Sequence, residues 1–262
     1  MSVYDFPEYY RIAFSFRDIP HELNFLEQVI RTYSQIPVRH VLELASGTSP
    51  YLEELIRRGY SYTGLDINAS MLRFARREAR QKGIDAEFIR GDLRRFDFGR
   101  RTFDLVYVLL GSLYVGSNAE LLKHLDCVAR CLRRGGLYVL DGVVQFKLLG
   151  DAKQSWTVRQ RGVTVKTTYN PQVVDPFEQS FYENLKLEIS DHGKRRIIES
   201  RSLRKVLFPQ ELLLLLQVHG EFEYVGAFRN FSMKPSREAK GRHIVVIRRR
   251  RSQESKRRTS SN

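Results

Sequence analysis

Three acidic side chains stand at positions where they could bind a ligand. Glu43 lies within the first short apolar run of the chain, Asp66 ends the second run, and Asp92 follows the third. Short apolar runs separated by amphipathic stretches predict buried parallel strands covered by helices. The carboxyl ends of such strands meet at one edge of the sheet, which is where open α/β sheets bind ligands. We therefore expect the three carboxylates to converge on one site.

The chemistry of this expected site suits an adenosine. Asp66, at the end of the second strand, can accept both hydroxyl protons of a ribose, and Asp92 can accept from an exocyclic amine such as that of adenine. Ile67 and Leu93, each directly after its acid, can enclose a flat base between apolar side chains. An isolated Asp between a strand and a helix is more often an N-cap than a ligand contact. The coincidence of three acids with a turn at Gly47 favours the ligand site.

The elements that position these residues follow from the 262-residue chain, which is 42% hydrophobic and 28% charged. This composition excludes a disordered polyelectrolyte and a low-complexity chain. The pattern predicts an α/β, Rossmann-like, seven-stranded and mostly parallel sheet with helices on both faces, plus a small antiparallel insert after strand five. The predicted parts are a helical leader or lid at 1–37, an α/β domain at 38–150, an antiparallel insert at 151–207, the end of the α/β domain at 208–247, and a basic disordered tail at 248–262.

Glycine, proline and polar residues set the expected boundaries within these parts. Ser49 and Pro50 suit the cap and first position of a helix, and Gly135 with Gly136 is expected to lead into a fifth strand at 137–144. Period-two alternation between about 155 and 207 predicts three or four antiparallel strands, with one turn at Asn170 and Pro171.

Charge and cysteine content restrict the environment. The net charge is +14, and residues 248–262 hold seven of the basic residues against Glu254. Cys127 and Cys131 lie four apart in a helical pattern, which suits reduced core residues rather than a disulfide framework or a zinc set, so no metal is expected. There is no apolar leader and no run long enough to cross a bilayer, so we expect a cytoplasmic protein without membrane contact.

Five segments then carry a resemblance to a known family: Val41-Leu42-Glu43-Leu44-Ala45-Ser46-Gly47-Thr48-Ser49, Gly64-Leu65-Asp66-Ile67-Asn68-Ala69-Ser70-Met71-Leu72, Gly91-Asp92-Leu93, Phe103-Asp104-Leu105-Val106 and Leu132-Arg133-Arg134-Gly135-Gly136-Leu137. With them the chain resembles the class I S-adenosylmethionine-dependent methyltransferases from about residue 9 to 247. The family commonly has glycine where this chain has Ala45 and Ser49.

The resemblance implies a cofactor, S-adenosylmethionine, whose product is S-adenosylhomocysteine, and it implies the residues that hold it. Glu43 and the backbone of residues 45–47 would line the methionine end, Asp66 would hold the ribose, and Asp92 with Leu93 would meet the adenine. The complete implied set of cofactor contacts is Tyr10, Arg17, Glu43, Ala45, Ser46, Gly47, Asp66, Ile67, Met71, Asp92, Leu93 and Leu109. Tyr10 and Arg17 belong to a leader in which an aromatic and a basic residue can close over the cofactor's carboxylate; the tyrosine can equally pack the leader onto the sheet.

The expected reaction is transfer of a methyl group, by in-line displacement, to a nitrogen or oxygen of a small-molecule acceptor, in the general class EC 2.1.1.-. Tyr114, after strand four, and Asp141, in strand five, are the candidates for a catalytic base. Either residue has an alternative role, Tyr114 as a lid aromatic and Asp141 as a hydrogen-bonded sheet residue. The insert is expected to cover the acceptor pocket, in a layout that resembles amino-sugar N-methyltransferases.

Two alternatives remain open at this point, and a third is disfavoured. The basic tail and the arginine-rich helices are compatible with an RNA-modifying methyltransferase, although Leu109-Leu110-Gly111-Ser112 replaces the Asn/Asp-Pro-Pro-aromatic tetrad of base-amine methylation. A non-catalytic module that senses the cofactor or binds nucleic acid is the second, and the tail then provides weak, nonspecific phosphate contact. A nicotinamide enzyme is disfavoured because the Gly-x-Gly-x-x-Gly spacing is missing.

Overall fold

The computed structural model describes residues 2–146 and 153–251. They form an eight-stranded sheet flanked by helices and a separate four-stranded sheet. A short 3-10 helix, Val3–Asp5, comes first. The helices are α1 Pro7–Ala13, α2 Ile19–Tyr33, α3 Leu52–Arg57, α4 Ala69–Gln81, α5 Asn118–Cys131 and α6 Pro209–His219. The strands are β1 His40–Leu44, β2 Ser61–Asp66, β3 Glu87–Arg90, β4 Phe103–Val108, β5 Leu132–Asp141, β6 Gln154–Gln160, β7 Val163–Asp175, β8 Ser180–Asp191, β9 Lys194–Lys205, β10 Phe222–Arg229, β11 Ser232–Pro235 and β12 His243–Arg249.

The large sheet has the order β11-β10-β12-β5-β4-β1-β2-β3. Strands β3, β2, β1, β4 and β5 are parallel, whereas β12, β10 and β11 pair antiparallel. Leu44 is opposite Leu65 in β2 and Val108 in β4, so these neighbouring strands end level with one another. The predicted α/β fold class is confirmed. The prediction of seven strands misses β11, which pairs with β10 at Phe228 and Arg229 only.

The core consists of two apolar layers, one on each face of the large sheet. Alternate residues of a strand point to opposite faces, so Leu42 and Leu44 pack toward the layer that contains Leu125 of α5, and Val41 packs toward the layer that contains Leu26 of α2. All six residues of β4 are buried, as expected for the centre of a parallel sheet. This packing fixes the level at which the strands end.

The insert is an antiparallel sheet of four strands, as its alternating pattern predicts. Its inner face, with Leu187 and Ile189 of β8, packs against Val3 and Ala13 of the leader. The indole Nε1 of Trp156 donates to the carbonyl oxygen of Ala13 at 2.7 Å. The leader thus lies between the insert and the large sheet.

Two boundaries differ from the sequence prediction for local reasons. Ser49 has φ +51° and closes a turn through its N–H to the carbonyl of Ser46 at 2.8 Å, so α3 begins only at Leu52, with Tyr51 as its N-cap. Gly135 and Gly136 lie within β5, at a shift in its register with β4, instead of preceding the strand. At this point the backbone of β4 comes so close that a side chain at Gly136 would meet the carbonyl oxygen of Asp104 at 2.6 Å, which explains the glycine.

Two further boundaries also need correction. Pro171 lies inside β7 instead of in a turn; β6 pairs only with residues 163–169, so proline occupies a part of β7 with a neighbour on one side. The last strand extends through Arg249, so residues 248–249 belong to the sheet and not to a tail. Residues 252–262 of the predicted tail, and residues 147–152 at the expected boundary before the insert, lie outside the described residues. Among the helices in the described ranges, none is both long and apolar enough to cross a membrane.

Candidate active site

Asp66 ties together the ends of the first two strands. Its Oδ2 accepts from the N–H of Gly47 at 2.7 Å, and its Oδ1 accepts from the N–H of Asn68 at 2.7 Å. Burial raises the pKa of this carboxyl, and the two backbone N–H groups oppose the rise. A carboxylate has about four acceptor positions, so acceptor capacity remains on the side that lines a cavity of about 890 Å³.

The predicted base-binding residues border the same large cavity. Ile67, Met71, Asp92 and Leu93 all line it. Ile67 is 59% exposed, which leaves an apolar surface for a flat ring, whereas Met71 is buried. No helix begins after Asp92, so this residue is not an N-cap. Instead Arg94 donates to it from its backbone N–H at 2.9 Å and from its guanidinium at 2.7 Å, which lowers the pKa of Asp92.

A second cavity of about 320 Å³ lies beside Glu43. Burial raises the pKa of Glu43 to about 8, and the hydroxyl of Tyr62 donates to its Oε2 at 2.5 Å. Arg17 lines this cavity as well, but its Nε and Nη2 donate to Glu22 and its guanidinium lies over the ring of Tyr51. Among the described residues the remaining Nη1 of Arg17 has no hydrogen-bond partner, so it can still donate to an anionic ligand group.

The turn between β1 and α3 separates the two cavities. Ala45, Gly47 and Ser49 all have φ between +51° and +53°, a conformation that suits glycine and strains the other two. Ser46 lines the smaller cavity, and its buried Oγ has no partner within the described part of the chain. The two cavities share Tyr10, Ala45, Gly47 and Ser112, and Leu109 lines the smaller one.

The residues present fit an adenosine joined to an amino-acid-like tail with positive charge. The larger cavity offers Asp66 and apolar surface to the nucleoside. The smaller cavity offers Arg17 to a carboxylate. The Glu43 carboxyl, whose ionised form a bound cation would stabilise, suits a positively charged group, and the unpaired Ser46 hydroxyl suits a donor or acceptor. The groups that line the two cavities are therefore those expected for binding S-adenosylmethionine.

A chain of hydroxyl groups leads away from the larger cavity toward the insert. The Tyr114 hydroxyl donates to Oε1 of Glu183 at 2.6 Å and lies 2.6 Å from the Tyr4 hydroxyl. Because a tyrosine has one hydroxyl proton, Tyr4 must be the donor to Tyr114. Arg204 donates to the other oxygen of Glu183 at 2.5 Å, and its guanidinium lies 4.4 Å from the centre of the Tyr114 ring. Burial raises the pKa of Tyr4 and Tyr114.

Sequence reasoning identified Tyr114 and missed Tyr4, Glu183 and Arg204. The signal for the last two is alternation: Glu183 occupies an inward position between Phe181 and Leu185 of β8, where apolar residues are expected. Tyr4 has no comparable signal, because only the folded leader brings it to the cavity.

The prediction that Asp141 is a catalytic base is wrong, because the residue does not reach either cavity. Its side chain has no exposed surface and lines neither cavity. Arg242 donates to it from Nε at 2.6 Å, and the backbone N–H of Leu110 donates at 2.8 Å. Asp141 is the hydrogen-bonded sheet residue that the sequence left as its alternative role, and it fixes the turn after β4. Across the described residues no group of three His, Cys, Asp or Glu side chains could hold a metal ion.

Comparison with known proteins agrees with this geometry. Residues 41–136, which hold Glu43, Asp66, Asp92 and Gly47, match the family described as "Methyltransferase domain". The chain contains a class I S-adenosylmethionine-dependent methyltransferase domain. The family and its cofactor, S-adenosylmethionine, are thereby confirmed for this domain as the sequence predicts them.

The curated relatives match this chain over about half of their length, whereas the similar solved structures match it over about nine tenths. A demethylmenaquinone methyltransferase from Thermotoga maritima is 32% identical over 117 residues, which is 44% of this chain and 48% of that protein. The chain spans about half the length of the curated relatives it matches. An S-adenosylmethionine-dependent methyltransferase structure from Clostridium acetobutylicum has a TM-score of 0.76 at 18% identity and covers 92% of this chain and 96% of that one. The sugar N-methyltransferase KedS8 from Streptoalloteichus has a TM-score of 0.72 at 22% identity, with 90% and 89% covered.

Proposed function

We propose that this chain transfers a methyl group from S-adenosylmethionine to the amine nitrogen of a small-molecule acceptor. The observation that carries the proposal is one cavity of about 890 Å³ lined both by Asp66, at the nucleoside side, and by the hydroxyl chain of Tyr4 and Tyr114. A nucleophile that contacts Tyr4 therefore lies in the same cavity as the cofactor residues, which is the proximity that such a displacement needs.

The cofactor, when bound, supplies a methyl group on a positively charged sulfur that leaves with the bonding electron pair. Asp66 would hold the nucleoside end of the cofactor and Glu43 its amino-acid end. Tyr10, which lines both cavities, would cover the part of the cofactor that connects the two ends. On the acceptor side, Tyr4 donates its proton to Tyr114, so its oxygen lone pairs remain to accept from an N–H. A proton released by the methylated nitrogen can pass through Tyr4 and Tyr114 to Glu183.

The choice of nitrogen over oxygen rests on what the cavities lack. Within the described part of the chain neither cavity is lined by a histidine. Glu183, at the end of the hydroxyl chain, lines neither cavity and is paired with Arg204, so it can take up a proton that a methylated amine has released but is not placed to activate a hydroxyl. A hydroxyl acceptor needs a base to become nucleophilic, whereas a neutral amine already carries a lone pair. The site therefore favours an amine.

Ligand-dependent melting tests the cofactor part of the proposal. S-adenosylmethionine and S-adenosylhomocysteine should both raise the melting temperature, because a ligand that binds only the folded state stabilises it, and NAD should not. Asp66→Ala should abolish the rise, while Asp85→Ala, which removes an exposed carboxylate outside both cavities, should keep it. Unchanged melting with both sulfur ligands would refute the proposal.

A defined acceptor panel tests the nitrogen assignment. Amino sugars, amino-acid amides and phenols are incubated separately with methyl-labelled cofactor, and label is measured in each product. We expect label in amine acceptors. Label confined to the phenols would overturn the choice of nitrogen and leave the cofactor assignment intact.

A further inference from the structure

Strand β9 of the insert presents its edge to the larger cavity. Five consecutive residues, 199–203, line it. The face of a strand would contribute every second residue, because alternate side chains point to opposite sides. A continuous run of lining residues therefore means that the main chain of β9 borders the cavity.

The direction of the main-chain groups along this edge follows from the pairing of β9 with β8. In an antiparallel strand, the N–H and C=O of one residue point to one neighbour and those of the next residue point to the other side. Val206 donates to the carbonyl of Gln179 at 2.6 Å, on the β8 side, and Lys205 donates to the carbonyl of Val115 at 3.0 Å, on the opposite side. Odd-numbered residues of β9 thus point away from β8.

Three residues in the cavity wall share this outward direction: Glu199, Arg201 and Leu203. Among the described residues their N–H and C=O groups have no hydrogen-bond partner. The loop at Val115 already forms the first hydrogen bond along this edge, through Lys205, and the next three positions open into the cavity. At about 6.7 Å for every two residues, they span roughly 13 Å.

We propose that this free edge of β9 is an acceptor subsite that binds an extended, peptide-like chain by β-strand addition. The inference rests on the proposed function and names the acceptor class for that same cavity. A donor and an acceptor that repeat together at every second residue match the main chain of another strand, whereas a monosaccharide has no such repeat. The same cavity extends from the edge of β9 to Tyr4, so an amine at the end of the bound peptide would lie beside the hydroxyl groups of Tyr4 and Tyr114.

Amide hydrogen exchange followed by NMR is the direct test, with a pool of random-sequence pentapeptide amides at millimolar concentration as the probe. In the protein with bound S-adenosylhomocysteine, the amides of Glu199, Arg201 and Leu203 should exchange fast, because they are unpaired, and the peptides should slow them. The matched probe is the same pool with N-methylated internal amides, which cannot complete the strand pairing and should give no protection.

Substitutions separate the main chain from the side chain. Arg201→Pro removes one outward N–H without touching the pairing to β8, since proline is tolerated on an edge strand. We expect it to weaken peptide binding about tenfold, the loss of one main-chain hydrogen bond. Arg201→Ala keeps the N–H and should bind as wild type. Ile197→Pro makes the same backbone change on the same edge outside the cavity wall, and it should have no effect.

The outcomes separate this inference from the proposed function. Absent protection of the three amides, equal protection by the N-methylated pool, or equal weakening by Arg201→Ala and Arg201→Pro would each overturn the subsite. If S-adenosylhomocysteine binds in the same sample, that failure concerns the edge of β9 alone. If S-adenosylhomocysteine does not bind, the proposed function itself fails.

Discussion

Glu43→Gln should make the protein more stable at neutral pH and remove a large part of the pH dependence of its stability. Glu43 is buried, and burial raises the pKa of its carboxyl from 4.5 to about 8. Glutamine has nearly the same shape, stays neutral at every pH, and keeps an oxygen that accepts from the Tyr62 hydroxyl. The substitution therefore removes a titration with little change in packing.

The magnitude follows from the two pKa values. Between pH 4.5 and about 8 the unfolded chain has released a proton that folded Glu43 retains, so the free energy of unfolding falls as pH rises. The fall is about 1.4 kcal/mol per pH unit in this window and ends above the folded pKa. At pH 7, about 2.5 units above the unfolded value, the wild type has lost roughly 3 kcal/mol of stability, which Glu43→Gln retains.

Urea denaturation at pH 5, 6, 7 and 8, without ligand, measures this difference. The stability advantage of Glu43→Gln over wild type should be small at pH 5 and should grow by about 1.4 kcal/mol per unit up to pH 8. Glu53→Gln, which changes an exposed glutamate of α3, should follow the wild-type profile. Parallel pH profiles for wild type and Glu43→Gln would refute the argument.

Three other predictions concern positions that only the structure explains. Asp141→Asn should cost about 2 kcal/mol of stability in urea denaturation, because it leaves Arg242 without its carboxylate, and should change S-adenosylhomocysteine affinity by less than about twofold. Ala45→Gly should stabilise by about 0.5–1 kcal/mol in the same assay, since it relieves a left-handed alanine. Deleting residues 248–262 removes the end of β12, whereas deleting residues 252–262 does not, so the first deletion should give the lower melting temperature. The difference should be about 3 °C for each kcal/mol of stability lost. Equal melting temperatures would contradict the place of residues 248–249 in the sheet.

The sequence predicts the parallel half of the fold well because local pattern and tertiary role agree there. The buried run of β4 and the acid at the end of β2 are visible in a few residues each, and parallel strands bring such ends together whatever surrounds them. Ser49 is harder. Its type suits an N-cap, but a hydrogen bond to Ser46 holds it in a left-handed conformation that composition does not reveal.

The acceptor side was less predictable because it is assembled from distant segments. Tyr4, Tyr114 and Glu183 lie in the leader, the loop after β4 and the insert, and they meet only after both sheets have formed. Asp141 illustrates the opposite case. A carboxylate near a strand end predicts a site, yet its partner Arg242 comes from a loop near the other end of the chain and takes up its charge.

The contacts of the leader also restrict how the molecule can be rebuilt. Ser200 of β9 accepts from the N–H of Val3 at 2.7 Å, and Trp156 of β6 donates to the carbonyl of Ala13 at 2.7 Å. An insert grafted from a relative would arrive without these matching groups. For chimaera design the first thirteen residues and the four-stranded sheet form a single exchangeable cassette, although the whole parallel half of the chain separates them.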